Sequence, residues 1–281
     1  MLGNIAGFCL VFILLLQSQA LFAQALGEED FPVALRKRVN SIDAFINRFN
    51  NREDLLGNYK PQDSVTDAFV VERRRNILSL FDYDKFRKAE GSDKDDLIEF
   101  INLVNSIEHQ LCLDFYDSNW YAVVDMDVLY HNQPKELTLI MTVEQTEPKV
   151  SKWTIRGVKA DFLKVKRTSG DTIAIIPPNS HGTDFIGLPN NLTRAARTAD
   201  LTSRETSIDM LSVFLYARQQ GEIQFRASKR VCYYFMQIPD WVVKVREFNR
   251  KSENSGWLIE QLTRVDYQTK DTYIQQLLSI K

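Results

Sequence analysis

Three features of the sequence predict an α+β fold, with N-terminal helices packed on one face of an antiparallel sheet. Apolar residues recur at helical spacing through the first third of the chain. At Trp120 the period drops from 3.6 to 2, and alternation governs most of the remaining chain. Turn residues separate the alternating runs, and helices first, strands after, is the order of an α+β layer architecture.

The chain opens with a stretch of another kind. Residues 1–25 carry no charge, and Ile5 to Leu16 is almost wholly apolar. Gln17-Ser18-Gln19 forms a polar step, and small residues follow at Ala20, Ala23 and Ala25. This pattern predicts a signal peptide over residues 1–23, cut after Ala23 or Ala25. Its apolar core is too short for a span of about 20 residues, so no membrane span is expected after cleavage. Residues 24–281 then form one α+β domain, or two divided near residue 180. The 35 basic and 37 acidic residues leave a net charge of −2. That balance supplies no field for nucleic acid. Cys112 and Cys232 follow the signal, flanked by apolar residues. They either pair, in an oxidising compartment, or sit as two buried thiols.

The helical part is read from three faces. Val39, Ile42, Phe45, Ile46 and Phe49 trace the first, opposite Arg38, Asn40, Asp43 and Asn47. A second helix starts at Ser64 and carries Val65, Ala68, Phe69, Ile77 and Leu80, with Arg73-Arg74-Arg75 as its solvated face. A third starts near Ser92, with Asp95 completing a capping box, and buries Leu97, Ile98, Ile101, Val104 and Ile107.

From Trp120 the even positions Ala122, Val124, Met126, Val128 and Tyr130 share one sheet face. Leu137, Leu139, Met141 and Val143 of the next strand join them if Tyr130 stands opposite Leu137. That register turns the hairpin at Asn132-Gln133-Pro134-Lys135 and sets His131 across from Glu136. Strands come next at 152–165, with a bend at Gly157, and at 172–176 after the turn Thr168-Ser169-Gly170-Asp171. A helix inserted over 206–220 buries Ile208, Leu211, Phe214 and Leu215 and ends on Gly221. Strands near 222–238, 241–248 and 257–265 and a short helix after Asp271 complete the chain.

The stretches "SKWTIRGVKADFL" and "VVKVREFNRKSENSGWLIEQLTRV" resemble sheet strands of the nuclear-transport-factor-2-like superfamily, whose members often end in Gly-Trp-Leu-Ile after a basic loop. The resemblance implies a cone-like fold, in which a curved antiparallel sheet and the helices enclose a pocket. The chain also resembles exported members of that superfamily from Gram-negative bacteria, which implies a periplasmic or secreted location. The helix at 206–220 is an insertion that the family pattern lacks. Pocket enzymes of the family use an Asp with a Tyr or His inside the cone, and no residue here matches those positions one by one.

Candidate chemistry is sparse. The sequence has no Gly-x-Ser-x-Gly elbow, phosphate loop, dinucleotide fingerprint or His-Glu-x-x-His, so no cofactor or metal is expected. Within "IIPPNSHGTDFIGLPN", His181 is a candidate general base with Asp184 orienting its ring. The alternative is a rigid corner, since Pro177-Pro178 fixes φ and removes two donors. Asp125 and Asp127 share a strand face about 7 Å apart, a spacing that suits an acid and base or a cation; as an ordinary solvated face they need no function. Tyr233, Tyr234 and Phe235 line a pocket or simply pack. The reading is therefore an exported, non-enzymatic binding or assembly module whose partner is a small molecule or a protein. Its alternative is a hydrolase or isomerase acting on a small apolar molecule. Intact-mass analysis of the secreted protein is expected to show residues 1–23 or 1–25 missing; their retention would overturn the export reading.

Overall fold

The structure is a computed structural model and describes residues 38–60, 66–86, 88–106, 110–147, 150–163, 188–189, 209–251 and 254–278. It is α+β: six strands form one open antiparallel sheet, accompanied by helices. Helix α1 spans Ile42–Phe49, α2 Asp67–Ser79, α3 Tyr83–Phe86 and α4 Ser92–Val104. The strands are β1 Trp120–Tyr130, β2 Gln133–Glu147 and β3 Val150–Lys159. A 3-10 turn, Asp161–Leu163, and helix α5, Met210–Gln219, come next. Strands β4 Ile223–Phe235, β5 Trp241–Phe248 and β6 Gly256–Arg264 and helix α6 Tyr267–Leu278 follow. The sheet order is β3-β2-β1-β4-β5-β6. Among the described residues no helix is long and apolar enough to cross a membrane.

Local chemistry sets the helix starts. The Ser41 hydroxyl accepts from Ala44 N at 3.1 Å and caps α1. Thr66 does the same for α2 through Phe69 N at 3.2 Å, so that helix begins after Thr66. The expected start at Ser64, with Val65, lies outside the described residues. The capping box expected at Ser92 does not form. Gly91 takes the cap position at φ +56°, no side chain bonds the first turn, and Ser92 falls inside α4. The buried face of α4 is Leu97, Phe100, Ile101 and Val104, with Ile98 half-buried; Ile107 is not described.

The arginine triplet is also corrected. Arg73 is buried to 1% exposure and donates to the carbonyls of Phe49 (3.3 Å) and Leu111 (2.6 Å). Arg74 and Arg75 are half-buried, and Arg74 donates to Asn102 at 3.2 Å. Buried guanidinium groups need acceptors, and the carbonyls at the end of α1 and in the connection before β1 supply them here. Burial pulls the pKa of both Arg73 and Arg74 below the ordinary arginine value.

The β1–β2 hairpin turns at His131-Asn132, both left-handed with φ of 48° and 64°, rather than at residues 132–135. A two-residue turn of this kind matches the twist of the strands. It places Tyr130 across from Gln133 and Asp125 across from Thr138, whose hydroxyl donates to Asp125 at 2.7 Å. His131 thus faces no Glu136. Its N–H donates to Glu222 O at 3.1 Å, and its Nε2 lies 3.8 Å from the Glu222 carboxylate. The slip from the expected register is an even one, so the faces survive: Trp120, Leu137, Leu139 and Val143 are buried, while Val124, Met126 and Met141 are half-buried.

The chain divides into two compact units. The first comprises Met1–Val124, Ile140–Thr154 and Arg230–Ile274. Its core is strongly aromatic: Phe45 stacks on Phe235 at 5.8 Å, Phe235 on Trp120 at 5.1 Å, and Phe100 meets Trp241 edge-on at 5.6 Å. The second comprises Asp125–Leu139, Ile155–Lys229 and Gln275–Lys281. In it Phe214 of α5 meets Phe225 at 6.2 Å, and Tyr130 meets Phe162 at 4.9 Å. Asp209 caps α5, and the helix closes on Gly221 at φ +73°, as the sequence predicts. Of the expected apolar face of α5, Phe214 is buried but Leu215 is exposed; Ile208 is not described. The strand expected at 172–176 and the division near residue 180 also lie outside the described residues.

In the first unit, two segments close the outer edge of β6. Val39 bridges Gly256 in parallel, with Val39 N donating to Ser255 O (3.0 Å) and Trp257 N to Val39 O (2.9 Å). Phe81 bridges Ile259, with Ile259 N donating to Leu80 O (2.7 Å) and Asp82 N to Ile259 O (3.0 Å). The preceding loop is clamped from inside. Asn254, 2% exposed, donates to Ser79 O (3.0 Å) and Phe81 O (2.5 Å) and accepts from Tyr83 N (3.2 Å) and Arg250 (3.0 Å). Arg250 completes the knot by pairing with Asp82 at 2.7 Å and Asp84 at 3.2 Å. A Cβ on Gly256, at φ +91°, would stand 2.1 Å from Val39 O, whereas Gly221 meets nothing within 4 Å. Gly256→Ala is therefore expected to cost about 2–4 kcal/mol in urea unfolding. Gly221→Ala should cost about 1 kcal/mol. Equal costs would contradict the edge contact.

Candidate functional site

Two polar constellations stand out in the first unit, and the β-sheet register builds the first of them. Antiparallel pairing sets Tyr234 opposite Lys244 and Cys232 opposite Arg246. Between β5 and β6 the register jumps: Lys244 pairs with Gln261, but Val245 pairs with Ile259. Glu260 is the extra residue of this bulge, and a bulge re-aims the side chain it carries. The Glu260 carboxylate lies 2.8 Å from Lys244 Nζ and 2.8 Å from Arg246 Nε. The Arg246 guanidinium also lies over the Phe248 ring at 4.2 Å, and Lys244 lies 5.8 Å from the Tyr234 ring centre.

Burial dominates the electrostatics of this cluster. Burial raises the Cys232 thiol, an effect that neighbouring cations only partly offset. Burial likewise raises the phenols of Tyr233 and Tyr234. For Lys244, burial acts to lower the pKa, but the Glu260 carboxylate and Tyr234 outweigh it and the net shift is upward. The thiol and phenols stay protonated, the lysine stays charged, and the one carboxylate is held by two cations.

The second constellation is a cleft of about 280 Å³ lined by Lys85, Phe86, Ala89, Asp93, Asp96, Gln261 and Leu262. Helix α3 supplies Lys85 and Phe86, α4 supplies Asp93 and Asp96, and β6 supplies Gln261 and Leu262. Lys85 Nζ donates to Glu260 O at 2.9 Å and lies 5.5 Å from the Phe86 ring centre. Asp96 lies 3.6 Å from Arg264 Nε, and Arg264 also pairs with Glu99. Gln261 donates to Thr263 at 3.2 Å. The apolar lining is Phe86, Ala89 and Leu262.

The residues singled out by sequence fall elsewhere. Asp125 accepts from Thr138, and Asp127 pairs with Lys229 at 2.9 Å. Lys229 also reaches Glu136 at 2.5 Å, and its pKa is raised, chiefly by Glu136 and then by Asp127. All five residues belong to the second unit. His181 and Asp184 lie outside the described residues, as does the loop that carries them. Both thiols are free. Cys232 is buried, but Cys112 is exposed, so the expectation of two buried thiols holds for one of them. Trp241 is buried, and Trp153 and Trp257 are half-buried against the same core. Among the described residues, no group of three His, Cys, Asp or Glu side chains is placed to hold a metal ion.

Sequence reading missed the cleft entirely. Its one available signal was acidic crowding at the start of α4, Asp93, Asp95 and Asp96 after Gly91. The chain matches no family model, no curated protein and no solved structure.

The raised thiol and phenols carry a pH dependence with a definite sign. The folded chain holds these protons more tightly than the unfolded chain does. Their contribution is thus complete below the ordinary thiol and phenol values, about 8.5 and 10, and is lost as pH climbs past them. Urea midpoints should therefore fall from about pH 8.5 upward. The double substitution Cys232→Ser with Tyr234→Phe should flatten that fall. An unchanged slope in the double variant would show that these groups are not the source.

Proposed function

We propose that the chain is an exported, non-enzymatic binding module, and that the cleft between α3, α4 and β6 holds its ligand. The observation that carries this reading is the cleft itself, in which charged and amide groups converge beside a smaller apolar part. Convergent polar groups orient a ligand, and the apolar part adds contact area. Its volume of about 280 Å³ falls just below the usual range for drug-sized ligands, which suits a small molecule or a single side chain. Strand addition, the other route to an assembly role, is disfavoured along β6 because Val39 and Phe81 already bridge that edge.

Export to the periplasm or beyond rests on the N-terminal 23 residues. The kinship with nuclear-transport-factor-2-like proteins rests on the sheet motifs, and the cone-shaped enclosure belongs to that kinship. Both are parts of the proposal.

Native mass spectrometry of the protein purified without unfolding is the test. A small molecule should co-purify, and Ala89→Trp, which fills the cleft from its wall, should abolish that occupancy while leaving the melting temperature nearly unchanged. A ligand that survives Ala89→Trp would place the binding site elsewhere.

A further inference from the structure

Two charges line the cleft without meeting an opposite charge. Lys85 gives its ammonium to a neutral acceptor, the Glu260 carbonyl at 2.9 Å, and faces no carboxylate within ion-pair distance among the described residues. Asp93 has no ion-pair or hydrogen-bond partner among the described residues. They do not pair with each other, although both line the same cleft. The remaining charges there are already balanced locally, because Asp96 is shared with Arg264, which also holds Glu99. Among the described residues, the cleft leaves open one positive group and one negative group, beside the smaller apolar part formed by Phe86, Ala89 and Leu262.

From this we infer that the ligand is a small zwitterion, an α-amino acid with an apolar side chain. Its carboxylate meets Lys85, its ammonium meets Asp93, and its side chain lies on Phe86 and Leu262. A purely cationic ligand would leave Lys85 facing it, and a purely anionic one would leave Asp93 facing it; a like charge at close quarters costs affinity. A neutral apolar ligand would satisfy neither. The volume of about 280 Å³ accommodates an amino acid. This inference rests on the binding reading given above and names its ligand class.

The test uses the full mature protein and isothermal titration calorimetry. The standard amino acids are titrated first. The tightest apolar one is then compared with two relatives of the same skeleton, its amide, which is a cation, and its deaminated acid, which is an anion. The zwitterion should bind at least about tenfold more tightly than either relative, since each lost charge-assisted hydrogen bond is worth about that factor. Lys85→Met should weaken the amino acid about tenfold while binding the amide at least as well as before, and Asp93→Asn should weaken the amino acid about tenfold while binding the acid at least as well as before. Both residues are exposed, so neither change threatens the fold, and the comparison of the three ligands on the unaltered protein needs no variant.

Equal or tighter binding of the amide or the acid, or indifference to both substitutions, overturns the zwitterion. If no amino acid binds while some other molecule still co-purifies and is displaced by Ala89→Trp, the zwitterion fails and the binding reading stands. If nothing binds and nothing co-purifies, both fail.

Discussion

The carbonyl of Val39 lies 2.1 Å from the place where a Cβ on residue 256 would stand. The segment entering α1 therefore reaches β6 only across a residue without a side chain. Much of the first unit hangs on this approach. Val39 and Phe81 supply the backbone partners that β6 lacks on its outer side, and Asn254 and Arg250 hold the loop so that both can arrive. Buried backbone groups without partners are costly. The edge is closed by the chain's own segments, and the two bridges bring α1 and the α2–α3 junction against the strand whose far end carries Gln261 and Leu262.

That arrangement also explains why the polar residues of β5 and β6 divide as they do. The bulge at Lys244/Val245 leaves Glu260 over as the extra residue, where two cations hold its carboxylate. The neighbouring thiol and phenols keep their protons through burial. The result is a cluster of paired charges and protonated groups suited to holding strands together. One residue further on, Gln261 and Leu262 line the cleft, where Lys85 and Asp93 have no such ion-pair partners among the described residues. A paired charge and two cleft-lining residues thus stand at three consecutive positions of one strand.

Much of the architecture was legible in the sequence because periodicity survives tertiary context. Phe45, Ile46 and Phe49 point inward as their spacing requires, the period change at Trp120 marks the first strand, and Gly221 ends its helix with positive φ. What failed were choices between close alternatives. A turn at His131-Asn132 competes with one at residues 132–135, and two left-handed residues win because they match strand twist. Arg73 reads as a solvated charge until the carbonyls of Phe49 and Leu111 are known to converge on it. The cleft was illegible for a related reason: its lining comes from three elements far apart in sequence, and no local pattern announces their convergence. The basic loop before Gly-Trp-Leu-Ile was noticed as a motif, yet its Arg250 and Asn254 act as a clamp whose partners, Asp82 and Ser79, no spacing rule predicts.

Amide hydrogen exchange across the β6 edge tests the central claim most directly. The amides of Val39, Asp82, Trp257 and Ile259 all donate across that edge. If the closed edge is part of the cooperative core, they exchange only through global unfolding, as slowly as the amides of Val243 and Val245 in the interior of β5. Exchange of these four at loop-like rates, while Val243 and Val245 stay protected, would mean that the edge opens in the native state. The bridges from Val39 and Phe81 would then not close the sheet, and strand addition along β6 would replace the cleft as the better account of what this chain binds.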